Sequence, residues 1–135
     1  MFLFPTCVAE IHGIVTTDIT RDYVMPFAGR ITAVKIVDST AHTASDTDYQ
    51  TVTLVNKGAA GSGSTAMIAT TNTRSTGTGA LGDLAADVAK SATLSTTYAN
   101  TLIAEGDVVQ LKIVKASSGT LTNGSIQVLA VPGGY

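Results

Sequence analysis

A two-residue apolar period, returning in short runs that turn residues cut off each time, narrows the fold most. In YQTVTLVN, residues 49–56, Val52 and Leu54 fall on one face and Thr51 and Thr53 on the other. Between residues 107 and 116, Val109, Leu111 and Ile113 alternate with Val108, Gln110, Lys112 and Val114. Strands place alternate side chains on opposite faces, so this period marks sheet rather than helix. Further extended runs are read at residues 7–17, 22–28, 29–38, 65–71, 92–98 and 125–131. Pro26 confines the 22–28 run to an edge or a strand end. The 7–17 run is apolar on both parities, which suits a strand covered on both sides.

Turn signals separate these runs. STAHTASDTD, residues 39–48, and NTRSTGTG, residues 72–79, are polar loops, and GAAGSGST, residues 58–65, is a glycine-rich connection. Gly106 is placed for a turn within IAEGD, residues 103–107, and LTNG, residues 121–124, ends in the strongest hairpin dipeptide. Seven or eight strands at this spacing predict an all-β fold, an antiparallel β-sandwich of jelly-roll type. The predicted organisation is an apolar arm over residues 1–6 and one sandwich domain over 7–135. ALGDLAADVAKS alone has helical spacing, with Leu81, Leu84 and Val88 at i, i+3 and i+7. A short helix over residues 81–90 and a wandering loop are both compatible with it.

Composition excludes several functions. Eight basic residues stand singly against ten acidic ones, so there is no basic face to neutralise phosphates and no nucleic-acid partner is expected. No apolar run approaches the ~18 residues of a membrane helix, so no membrane partner is expected. The opening MFLFPTCVAEIHGIV lacks a basic n-region and is broken by Pro5, unlike a signal peptide. The single cysteine, Cys7, is read as a small buried residue near a strand start.

Four motifs invite a chemical reading. GAAGSGST places Gly58, Gly63 and Thr65 on three positions of the phosphate-loop pattern, but Ser64 stands where the phosphate-binding lysine belongs and no helical period follows. GTGALG, residues 77–82, matches the dinucleotide pattern of three glycines, yet TTNTRST before it cannot be a buried parallel strand. Asp38, His42, Asp46 and Asp48 put metal-ligand atoms in one loop, without the glycine and distal glutamate of a calcium hand. Loop aspartates more often accept backbone hydrogen bonds in turns. Glu105 and Asp107 straddle a tight turn, which is their expected role. No Gly-x-Ser-x-Gly elbow is present. No enzymatic activity, catalytic residue, cofactor or metal is expected.

FAGRITAVKIVDSTAHTASDTDYQTVTLVNKGAAGSGS, followed by YANTLIAEGDVVQLKIVKA, resembles the head decoration, or cement, proteins of tailed bacteriophages and related capsid fibre domains. The resemblance is carried by the strand over residues 27–37, the Asp-x-Asp-Tyr step at 46–49, the LVNKG strand end and the Gly106–Asp107 turn. It spans about residues 24–131. It implies a homotrimeric β-sandwich on the outer surface of a virion, made in the host bacterial cytoplasm, that bridges neighbouring major capsid proteins. It carries no catalytic residue. The alternative is a receptor- or glycan-binding module of a phage fibre or tail, for which Tyr23, Tyr49, Tyr98 and Tyr135 are the available stacking residues. Met1, Phe2, Leu3, Phe4 and Pro5 cluster large apolar side chains at a terminus, where exposure is an association liability. The arm is expected to dock on a neighbouring subunit or on the capsid, or else to fold against its own sandwich. Lys57 and Tyr135 complete the expected interaction residues.

Overall fold

The computed structural model describes residues 5–15, 17–119 and 121–133. Its strands in chain order are β1 (Thr6–Val15), β2 (Ile19–Val24), β3 (Gly29–Asp38), β4 (Gln50–Gly58), β5 (Thr65–Ala66), β6 (Thr71–Asn72), β7 (Lys90–Ser91), β8 (Leu102–Ile103), β9 (Val108–Lys115) and β10 (Leu121–Pro132). The first sheet has the order β1-β10-β3-β7, with β8 also on β3, and the second has β2-β9-β4-β5, with β6 also on β4. All strand pairings are antiparallel. β1 to β4 alternate between the sheets, as do β9 and β10, and the two strand orders are those of a jelly roll.

The period-two pattern builds the core. From the first sheet Ile31, Val34, Ile36, Ile126, Val128 and Ala130 point inward, and from the second Val52, Leu54, Val109, Leu111 and Ile113 do so, each no more than 1% exposed. Met25 and Met67 belong to the same core, and their unbranched side chains suit irregular gaps. Burial of such residues is the main term holding two sheets face to face.

One flank of the sandwich is closed and the other is open. On the closed flank, Ile68 bridges Leu94, Ala69 donates to the Thr93 carbonyl, Ser95 donates to Met67, and Ala92 donates to Val34 on β3. The chain from 67 to 95 thus stitches the second sheet to the first. On the open flank, among the described residues, β1 pairs only with β10, and β2 only with β9.

Three local readings are corrected. Residues 81–90 form no helix: Leu84 exchanges backbone hydrogen bonds with His42 at 2.8 and 2.9 Å, and Gly82 and Asp87 have φ of 71° and 62°. Tertiary pairing across the loops overrides the i, i+3, i+7 spacing. LTNG is not a turn but the start of β10, where Gly124 pairs with Gly13 and Asp38. The chain reverses earlier, at Ser117 with φ 53°, because β9 and β10 lie in different sheets and a tight hairpin cannot join them. Cys7 is exposed rather than buried, since β1 is an edge strand.

In GTGALG it is Gly79 that packing demands. At Gly79 φ is 76°, and a Cβ would lie 2.0 Å from the Thr70 carbonyl oxygen. Gly61 has a similar φ of 74° but nothing within 4 Å. Gly61→Ala is therefore expected to lower stability by about 1 kcal/mol, the usual cost of a left-handed residue, and Gly79→Ala by at least about 3 kcal/mol, because backbone must also move. Urea denaturation of both variants checks the gap between them.

Candidate functional site

The jelly roll sorts its loops into two ends. At one end lie the connections 39–49, 73–89 and 116–119. At the other lie Pro5, Gly133 and the connections 25–28, 59–64 and 104–107, because Thr6 pairs with Ala130, Gly29 with Pro132 and Ile103, and Val108 with both Val24 and Gly58.

The first end holds the candidate metal loop, and its donors are directed elsewhere. Asp46 accepts the backbone N–H of Ser75 at 3.1 Å and of Thr76 at 3.0 Å, and the Thr76 hydroxyl at 2.8 Å. Arg74 Nε stands 3.5 Å from the same carboxylate. Asp48 accepts the N–H and hydroxyl of Ser118 at 3.1 and 2.9 Å. Asp38 caps Thr40 N–H at 2.9 Å. Among the described residues no three His, Cys, Asp or Glu side chains come together where they could hold a metal ion. The turn role of these aspartates is what the structure shows.

These ties fix the acid response of the loop end. Hydrogen bonds from Thr76, first from its backbone and then from its hydroxyl, hold the Asp46 carboxyl at about 2, below its ordinary 3.8. The Ser118 backbone bond and then its hydroxyl lower Asp48 likewise. A depressed carboxyl contributes stability in full above its unfolded value and loses it as pH falls through its folded value. The Asp46 tie is therefore complete above about pH 4 and lost between 3.8 and 2. Asp46→Asn is expected to flatten the fall of Tm between pH 4 and 2 while leaving its slope above pH 5 unchanged. Calorimetric melts across that range check it.

The second end holds the described part of the expected interaction residues. Pro5 is exposed, directly before β1. Thr6, counted with the arm from sequence, already belongs to β1. Met1, Phe2, Leu3, Phe4 and Tyr135 lie outside the described residues. Lys57 lies near the end of β4, partly buried, and its carbonyl accepts Gly63 N–H at 2.8 Å. Pro5 and Lys57 share this end but not a site, because β1 edges one sheet and β4 is the third strand of the other. GAAGSGST makes the β4–β5 hairpin here: Gly58 has φ 68°, and Asn56 Oδ1 accepts its N–H at 2.8 Å. The adjacent turn is held by Asp107, which accepts Ala104 N–H and Asn56 Nδ2, both at 2.9 Å.

Reasoning from sequence missed the outer face of the second sheet. Its rows run Thr20–Lys112–Thr53, Asp22–Gln110–Val55–Ala66 and Val24–Val108. Val24 is 69% exposed. The face is mostly threonine and valine, with Gln110 Nε2 donating to Asp22 at 3.1 Å. Period-two alternation signalled a polar side to each strand; the neighbours in each row needed the register.

This face ends in a groove of about 200 Å³ beside β4. β5 pairs with Val55 and Asn56, and β6 with Thr51 and Val52, so their pairing skips Thr53 and Leu54. There Met67 N–H donates to the Leu54 carbonyl at 2.9 Å, while residues 68 and 69 turn away to pair with 93 and 94. Thr53, Val55, Ala66, Ile68 and Ala69 are among the walls, and among the described residues no ionisable side chain lines it. A second hollow, of about 240 Å³, lies on the open flank between β1 and β2. There the Tyr23 hydroxyl donates to the Glu10 carbonyl. Partial burial first, and then the Glu10 carboxylate, push the Cys7 thiol up, which disfavours the reactive thiolate.

Among the described residues no helix is long and apolar enough to cross a membrane. Comparison with family models, curated proteins and solved structures gives no match to this chain.

Proposed function

We propose that this chain is a non-enzymatic structural protein of a virion, which binds the outer surface of a phage capsid as a homotrimer and bridges neighbouring major capsid proteins. The observation that carries the reading is the threonine- and valine-rich outer face of the second sheet, with Val24 exposed and the apolar groove at its end. Close packing against a protein lattice favours such a face, because few ions must be desolvated. Many copies of a modest contact give a shell high avidity without a large interface in any one copy. The resemblance of residues 24–131 to decoration proteins and the jelly-roll topology are in keeping with this role, although a fold alone does not specify a function.

A glycan-binding reading draws on Tyr98, which is 53% exposed with the Arg30 guanidinium 5.6 Å from its ring centre. The other described tyrosines are less suited to it. Tyr49 is partly buried against Arg74 at 5.3 Å, and Tyr23 is tied to Glu10. One exposed aromatic makes a thin stacking platform for a sugar.

Purified empty heads test the leading reading. The protein is expected to bind them saturably and to raise their heat resistance, and Val24→Asp is expected to weaken that binding at least tenfold. Absence of saturable binding to heads, together with binding to host cells or glycans that Tyr98→Ala abolishes, would replace it by the glycan reading.

A further inference from the structure

We propose that the groove beside β4 receives the apolar segment MFLF, residues 1–4, of a second copy of this chain, in a head-to-tail contact. This deepens the reading above, from which it takes only the homotrimer.

The groove and the segment match in chemistry. The walls are aliphatic side chains and threonine, with Thr53 at the rim and Val55, Ala66 and Ile68 around it. Two of the three phenylalanines of the chain, Phe2 and Phe4, stand in the arm. A volume of about 200 Å³ accommodates one such ring, and neither these walls nor the side chains of MFLF carry a charge that must be desolvated.

Reach decides whose arm it is. β1 begins on the open flank, at the end of the sandwich that carries the hairpin after β4. From there the groove lies about 10 Å away across the sheets, about 10 Å sideways and roughly 13 Å along the strands. The straight line is about 19 Å and runs through the core. Residues 1–5 extend at most ~18 Å from Thr6, and a path over the surface is longer still. An arm therefore cannot fill the groove of its own sandwich and can fill that of a neighbour. The two surfaces are unlike and lie on opposite flanks, so the contact is heterologous and closes into a ring when the rotation permits.

Two variants test this by complementation. Phe2→Ser/Phe4→Ser removes the arm anchors outside the described fold. Thr53→Glu puts a charged side chain over the groove, and it faces Lys112 across the sheet, a favourable cross-strand pair that protects the fold. Thermal melts confirm that both are folded; Thr53→Gln serves in place of a Glu variant that is not. Sedimentation at matched concentrations is expected to give trimer for the wild type and monomer for each variant. Mixed, the variants are expected to form a one-to-one heterodimer, since one keeps an intact arm and the other an intact groove. A monomeric wild type, variants that stay trimeric, or monomeric variants that ignore each other would overturn the proposal. Head binding on the same samples separates the two readings. A wild type that assembles through the groove but does not bind heads overturns decoration alone, and one that binds heads as a monomer overturns the arm contact and the homotrimer but leaves decoration standing.

Discussion

The outer strands of a sheet carry backbone groups with no neighbour, and the way this chain disposes of its sheet edges organises the rest of the molecule. On one flank the edges are removed. The run from 67 to 95 leaves β4, pairs with itself through Ile68 and Leu94, and reaches β3 through Ala92. That closure is why the strand after the glycine hairpin is broken into β5 and β6. The groove is the cost of the closure, because a chain turning toward the first sheet cannot also continue the ladder on β4. On the other flank the edges remain, but they are blunted. β1 carries two register shifts with Glu10 and His12 on its exposed side, and β2 is short and bears Arg21 and Asp22. Bulges, charge and brevity are the usual protections against unwanted strand addition.

Six of the acids serve the loops as hydrogen-bond acceptors. Asp18, Asp38, Asp46, Asp48, Asp83 and Asp107 each accept a main-chain N–H from a loop or a strand end. Asp46 and Asp48 sit in one connection but tie it to two others, around residues 75 and 118. This is why a loop rich in ligand atoms gathers no metal cluster among the described residues: each carboxylate is turned toward its own backbone partner.

Much of the sandwich was legible in the sequence, for a physical reason. β3 coincides with its predicted run, and β4 and β9 fall within two residues of theirs, because a strand buried on one face must alternate and Val52, Leu54, Val109, Leu111 and Ile113 do. The segments between 65 and 103 were legible only in part. Their pairing partners are bridges of one or two residues, such as His42–Leu84 and Ile68–Leu94, and no local period encodes a contact that short. Asn-Gly at 123–124 reads as a turn by itself and becomes strand because Gly124 is hydrogen-bonded between β1 and β3. Pro5 and Lys57 were named from composition and turn grammar, which place them at one end but not on one surface. The groove and the outer-face rows depend on register, which residue type alone does not carry.

The asymmetry between the flanks limits how copies of this sandwich can meet. Isologous pairing of β1 with β1, or β2 with β2, would join edges that bulges and charged side chains already disfavour, and would give a two-fold dimer. A contact between the open-flank arm and the closed-flank groove uses neither edge. It leaves the backbone ladders untouched and joins apolar side chains to an apolar hollow, so its strength depends on a few buried aromatic atoms rather than on strand pairing. Such a contact repeats in one rotational sense. Three copies related by a three-fold axis would then present the same sheet faces outward in the same orientation. Each copy would offer its Val24–Val108 row at an equivalent radius, which is what binding to a three-fold lattice position requires of a trimer.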